Sequence, residues 1–212
     1  MSVKEDQLHQ QIQDRYELEA TSCSCLGCGS TMEALGIAQN ERILDLGCGR
    51  GEETLKAALL VGPTGLAAGL DLTEAMVTQA RENAKSAGVS NAVFVQGDIE
   101  ALPFPDESFD GVMSNCVINH AKDKTAVYRE ISRVLKPGGR FVIADAVTKQ
   151  PLPLEVKNDP QAWAECYGGA ITEEEYLDAI QSAGFSRIDI ITRREYIKNG
   201  YDFASLTIKA VK

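Results

Sequence analysis

The apolar positions change period several times along the chain. Residues 1–20 are polar and charged, with Leu8, Ile12 and Tyr16 at helical spacing, which predicts a short amphipathic helix. Residues 21–31 are small and polar and read as a loop, and Thr31 to Ala38 reads as another short helix. From Arg42 an alternation sets in. Ile43 to Leu46 predicts a strand that runs into Gly47-Cys48-Gly49-Arg50-Gly51, followed by a helix over Glu52 to Leu60. Gly62-Pro63-Thr64-Gly65 turns into a second strand, Leu66 to Leu72. Thr73 then caps a helix that carries Met76, Val77, Ala80 and Ala84 on one face and stops at Gly88.

Ala92 to Val95 and Phe109 to Ser114 read as a third and a fourth strand. A helix from Lys122 to Leu135 ends at Pro137-Gly138-Gly139, and Arg140 to Val147 forms a fifth strand. Residues 148–170, with three prolines, read as irregular. Thr172-Glu-Glu-Glu175 has the spacing of a capping box, opening a helix that stops at Gly184. Two short strands, near 188–192 and 205–211, close the chain. Strands alternating with helices predict an α/β fold, a doubly wound and mainly parallel sheet with helices on both faces. The division that follows is an N-terminal helical arm over residues 1–40 and one sheet domain over residues 41–212.

Composition narrows what such a domain does. The 212 residues include 21 Lys plus Arg and 31 Asp plus Glu, a formal net charge of −10. So acidic a chain is a poor partner for nucleic acid or for an anionic membrane surface, both of which need a basic face. No apolar run approaches a membrane span, and the first residues lack the apolar core of a signal peptide, so a cytoplasmic location is expected. In a reducing compartment, cysteines grouped in sequence point to metal binding or redox chemistry. Cys23, Cys25 and Cys28 are grouped, whereas Cys48, Cys116 and Cys166 are scattered.

A glycine loop between a first strand and a helix is where this architecture holds a nucleotide-like ligand. Gly47, Gly49 and Gly51 give G-x-G-x-G, which lacks both the last glycine of the dinucleotide fingerprint and the Gly-Lys-Ser/Thr of a P-loop. Asp71 ends the second strand, where a carboxylate accepts hydrogen bonds from ribose hydroxyls. Asp98, before Ile99, ends the third. With Asp45 they surround the loop with carboxylates and no lysine, which suits an adenosine-like cation, S-adenosylmethionine, better than a polyphosphate. A purely structural reading makes the same aspartates strand and helix caps.

Leu44-Asp-Leu-Gly-Cys-Gly-Arg-Gly51, Gly69-Leu-Asp71, Gly97-Asp98 and Leu135-Lys-Pro-Gly-Gly139 resemble, in order, the signature segments of class I S-adenosylmethionine-dependent methyltransferases. The resemblance implies a Rossmann-like, seven-stranded sheet with a reversed last strand. It places Asp45, Gly47, Cys48, Gly49 and Gly51 at the methionine part of the cofactor and Asp71 with Leu72 at the ribose. Asp98 and Ile99 would hold the adenine, and Met76 and Asn115 would complete the cofactor contacts.

Ser114-Asn-Cys-Val-Ile-Asn119, the Cys166-Tyr-Gly-Gly-Ala170 segment, Thr172-Glu-Glu-Glu-Tyr176 and the tail from Tyr201 resemble the arsenite methyltransferases. That resemblance implies trivalent arsenic held by Cys116, Cys166 and one of Cys23, Cys25 and Cys28, with Asn115 beside the reaction. The substrate would be arsenite or its thiol adducts, and a thiol reductant would serve as partner. Soft thiolates select a soft centre. An N-terminal arm that closes over the site would also exclude water.

Blander readings stand beside these. A lone cysteine is usually a small buried hydrophobe, which is the simpler reading of Cys48. The arm's C-x-C-x-x-C could bind structural zinc with His9 or His120. Trp163, Tyr167 and Tyr176 could be core, and Asn115 and Asn119 could cap strand ends. At the level of function the rivals are a methyltransferase of a quinone-like or thiol acceptor and a non-catalytic metalloid-binding protein.

Overall fold

The computed structural model describes residues 31–212. The helix expected over residues 1–20 and the cluster Cys23, Cys25 and Cys28 lie outside the described residues. Seven strands form one sheet: β1 (Arg42–Leu46), β2 (Leu66–Asp71), β3 (Ala92–Gln96), β4 (Phe109–Asn115), β5 (Leu135–Thr148), β6 (Arg187–Lys198) and β7 (Tyr201–Val211). Their order is β3-β2-β1-β4-β5-β7-β6. β1 to β5 pair in parallel, and β7 runs antiparallel to both β5 and β6.

The helices are α1 (Thr31–Leu35), α2 (Glu52–Val61), α3 (Glu74–Ala87), α4 (Lys124–Val134), α5 (Leu154–Lys157), α6 (Pro160–Ala164) and α7 (Glu173–Ser182). The period-2 pattern of the strands divides the core in two. Ile43, Ala67, Met113 and Val142 face one side, with Leu35 of α1 and Ala57, Ala58 and Val61 of α2. Leu44, Leu46, Ala68, Leu70, Val112, Phe141 and Ile143 face the other, with Val127, Tyr128 and Ile131 of α4 and Tyr176 and Ile180 of α7. The parallel strands β1, β2, β4 and β5 therefore have both faces covered, whereas the edge strand β6 is largely exposed.

Local chemistry sets the helix ends. The Asp123 carboxylate accepts from Ala126 N at the start of α4, and Thr172 and Glu175 form the expected capping box of α7. Gly88 ends α3 in the left-handed conformation, donating to Ala84 O and Lys85 O.

The structure revises three expectations. α4 stops at Val134 and β5 already begins at Leu135, so Lys136-Pro-Gly-Gly139 lies within the strand. A register shift between Phe109 and Gly111 absorbs the irregularity. The stretch 148–170 is not irregular throughout, because it holds α5 and α6. Asp159 caps α6 through Gln161 N, with Pro160 in its first turn. The last two strands form one long hairpin turned by Asn199-Gly200, both at positive φ, 52° and 81°. Asn-Gly is the strongest short-range hairpin signal, and it extends both strands beyond their apolar stretches.

Candidate active site

The strand order reverses between β1 and β4, and open sheets of this kind bind ligands at the carboxyl ends of the strands flanking that switch. The glycine loop follows β1, and the turn carrying Cys116 follows β4. The two meet directly: a Cβ added to Gly47 would lie 2.2 Å from Val117 Cγ2. Only glycine lets the loop approach the Cys116 turn so closely, and its φ of +71° demands glycine as well.

Backbone hydrogen bonds shape the loop. Gly47 N and Cys48 N both donate to Leu70 O, and Gly49 N donates to Asp71 Oδ2 at 2.9 Å. The other Asp71 oxygen accepts from Thr73 N at 3.0 Å. Thr73 stands at the expected start of α3 but makes no side-chain cap. Asp71 thus braces the loop as well as standing where the ribose was expected.

Asp45 is buried, and its Oδ2 accepts from Thr54 Oγ1 of α2 at 2.6 Å. Burial pushes its carboxyl up to about 7, and the Glu53 and Asp71 charges push the same way against the Thr54 bond. Burial also raises Asp71, against the Thr73 and Gly49 N–H groups. The Cys48 thiol is pushed far up by burial and by the same two carboxylates. It packs with Val77, Ala80, Ala84 and Phe94, in keeping with the simple apolar reading.

A bound cation would relieve this crowding of negative charge. S-adenosylmethionine carries both an ammonium and a sulfonium, so the donor set fits it. Gly49 adds to the fit: it has a φ of +51°, and a Cβ there would meet no atom of the described residues within 4 Å, which leaves this side of the loop to a ligand. Among the other positions expected at the cofactor, Leu72 and Asp98 are half-buried, Ile99 is buried and Met76 is fully buried. Asp98 Oδ1 accepts from Glu100 N, and Asn115 ends β4 in register with Ala144.

The substrate side is built from two turns. Cys116 follows β4 with its N–H on Ala144 O at 2.8 Å. Cys166 follows α6 with its N–H on Trp163 O at 3.0 Å. Both hold a left-handed backbone, φ 57° and 64°. A non-glycine residue there costs about 1–2 kcal/mol, and such strain concentrates at functional sites. Neither Cys48 nor Cys166 is part of a disulfide, whereas Cys116 is disulfide-bonded.

The turns touch each other. Cys166 Sγ lies 3.2 Å from Nε2 of His120, in the 3₁₀ turn just after Cys116. A Cβ on Gly169 would lie 2.0 Å from Asn119 O.

Asn119, which the sequence offers as a strand-end cap, is buried and bonded to Asp145. Sequence reading passed over Asp145 and Lys124 and weighed His120 only as a zinc ligand; none of the three belongs to a local motif. Among the described residues no three His, Cys, Asp or Glu side chains are grouped as a metal site. Tyr176 is core, while Trp163 and Tyr167 are half-buried beside the Cys166 turn.

Comparison with known proteins agrees with this geometry. A family model described as a methyltransferase domain matches residues 37–184. The arsenite methyltransferase of Halobacterium salinarum is 40% identical over 170 residues, 80% of this chain and 44% of that protein. A ubiquinone/menaquinone biosynthesis C-methyltransferase of Proteus mirabilis is 39% identical, but over only 54% of this chain and 46% of its own length. The chain spans about half the length of the curated relatives it matches. The crystal structure of an arsenic (III) S-adenosylmethionine methyltransferase from Chlamydomonas reinhardtii superposes with a TM-score of 0.80 at 30% identity, covering 93% of this chain and 73% of that one. No helix among the described residues is long and apolar enough to cross a membrane. With its reversed seventh strand, carboxylate-ringed glycine loop and paired cysteine turns, the chain belongs to the class I S-adenosylmethionine-dependent methyltransferases, close to the arsenite methyltransferases.

Proposed function

We propose that this chain moves a methyl group from S-adenosylmethionine to trivalent arsenic held by thiolates, with arsenite or its thiol adducts as substrate. One observation carries the reading: Cys116 and Cys166 stand in left-handed backbone on two touching turns, beside the loop that fits the cofactor. Asp45, Gly47, Gly49, Gly51, Asp71, Asp98 and Ile99 hold the cofactor, which supplies an electrophilic sulfonium methyl when bound. The chain's part is to bind, orient and exclude water. As each As–S bond forms, an As–O bond breaks, and the thiol proton leaves with the hydroxide as water. Arsenic so held keeps a lone pair for the methyl, and one of Cys23, Cys25 and Cys28 supplies the third sulfur.

Methyl transfer raises arsenic formally to the pentavalent state. Two thiols closing to a disulfide return the two electrons, and a thiol reductant reopens that disulfide. Because Cys116 is disulfide-bonded here, arsenic binding starts from the reduced chain. The need for reduced thiols supports a cytoplasmic location.

The test is methyl transfer from labelled S-adenosylmethionine to arsenite with a thiol reductant, products separated by chromatography. Methylated arsenic is expected from the wild type. Cys116→Ser and Cys166→Ser should abolish it while leaving cofactor affinity within about twofold. Full activity in both variants refutes the thiolate site, and labelled product only from a quinone or organic thiol moves the acceptor there.

A further inference from the structure

Asp145 lies on β5, away from both cysteines in sequence, and is 2% exposed. Its carboxylate accepts four hydrogen bonds: from Asn119 N at 3.1 Å, Asn119 Nδ2 at 2.8 Å, Ala146 N at 2.9 Å and Tyr176 OH at 3.3 Å. Asn119 Nδ2 also donates to Ala146 O at 2.8 Å. So many donors to one buried carboxylate specify a single geometry for the groups around it.

Those bonds fix the 3₁₀ turn Ile118–His120, the direct continuation of Cys116. Cys116 N is itself bonded to Ala144 O, the residue before Asp145. On its other side Asn119 O is wedged against the Cα of Gly169, whose missing side chain would also strike the Trp163 ring. Trp163 and Gly169 flank Cys166. A second tie runs parallel: the buried Lys124 ammonium donates to Ala121 O at 3.1 Å and lies 5.9 Å over the Trp163 ring.

We propose that Asp145, acting through Asn119, is a positioning residue that fixes the Cys116 turn against the Cys166 turn, so that the two thiols meet a trivalent arsenical as one bidentate clamp. The inference rests on the arsenic reading above and deepens it. A two-coordinate thiolate site binds more tightly when both sulfurs are held in place beforehand, because ordering them afterwards subtracts from affinity.

The test uses phenylarsine oxide, which takes two thiolates, titrated calorimetrically into the reduced full chain carrying Cys23→Ser, Cys25→Ser and Cys28→Ser. Asp145→Asn is expected to weaken phenylarsine oxide binding tenfold or more and to leave S-adenosylmethionine binding within about twofold. Asn119→Ala is expected to do the same, and it serves if Asp145→Asn does not fold. Tyr176→Phe removes a donor from the same carboxylate without touching Asn119 and is expected to leave phenylarsine oxide binding near the wild type. In the unsubstituted chain, Asp145→Asn should raise KM for arsenite while KM for the cofactor stays put.

Undiminished arsenical binding in Asp145→Asn and Asn119→Ala overturns the proposal. So does equal weakening in Tyr176→Phe, which would mean general loosening, and so does a triple-serine parent chain that binds no phenylarsine oxide. A parent chain that binds it with the expected variant pattern, alongside an unsubstituted chain that methylates no arsenite, upholds the clamp and overturns the arsenite reading alone.

Discussion

Gly47 and Gly49 sit two residues apart in one loop, both in left-handed backbone, yet their surroundings differ. An alanine Cβ at position 47 would lie 2.2 and 2.8 Å from the two Val117 methyls, whereas one at position 49 would meet no atom of the described residues within 4 Å. Each substitution pays about 1–2 kcal/mol for the backbone conformation, less about 0.4–1 kcal/mol recovered by stiffening the unfolded chain. Gly49→Ala should therefore cost about 1 kcal/mol. Gly47→Ala adds an overpacking cost of about 1–3 kcal/mol, for a total of about 2–4 kcal/mol. In a domain of this size each kcal/mol lowers Tm by roughly 2–4 °C, so Gly47→Ala should melt clearly below Gly49→Ala in the apo protein under reductant.

The functional readouts should split the other way. Gly49→Ala puts a methyl where the cofactor would approach the backbone, and it should weaken S-adenosylmethionine binding at least tenfold by calorimetry. Gly47→Ala moves Val117, and with it Cys116, so KM for arsenite should rise as well. Equal melting temperatures for the two variants would refute the close approach of loop and turn. Unchanged cofactor affinity in Gly49→Ala would refute the placement of the ligand.

Two further predictions follow from the site. Burial holds the Asp45 carboxyl near 7 in the fold against the ordinary 3.8, so between about pH 4 and 7 the folded apo chain binds more protons than the unfolded one, and its stability should fall as pH rises through that window. A cationic cofactor favours the ionised carboxylate, so its affinity should rise with pH through about 7 with proton release seen calorimetrically; Asp45→Asn should remove the affinity trend and make the stability slope less negative than in the wild type, with the buried Asp145 and Asp71 still contributing their share, and an unchanged slope in that variant would contradict the assignment. Cys166→Gly should relieve the strain at φ 64° and raise Tm by roughly 1–4 °C, a net gain of about 0.5–1 kcal/mol, while eliminating methylation. A lower Tm in that variant would refute the net gain and show that the lost Cys166 side-chain contacts, His120 among them, outweigh the backbone strain.

The sequence alone carried the sheet and the local layout of the glycine loop. Ile43 and Leu44 alternate between two helix layers, and the order strand–glycine loop–helix with Asp71 ending the next strand is a local pattern that backbone geometry and period-2 burial fix without knowledge of distant contacts. The capping box at Thr172 was legible for the same reason, and Asn199-Gly200 held the long hairpin in plain view, although the apolar stretches alone suggested shorter strands. Even the choice of Cys116 and Cys166 rested on short segments.

What only tertiary structure decided is how those segments meet. Asp145 reads in sequence as one polar residue in an apolar strand, and only the fold shows its carboxylate gathering Asn119 and Tyr176. His120 gains significance only because Cys166, 46 residues on, comes to rest 3.2 Å away. Gly47 reads as one glycine of a nucleotide loop, yet its lack of a side chain also admits Val117 from a different strand end. Local propensity and burial pattern act along the chain and can be read from it. A hydrogen-bonded buried carboxylate, or a steric gap shared by two turns, exists only once chain closure has brought its parts together.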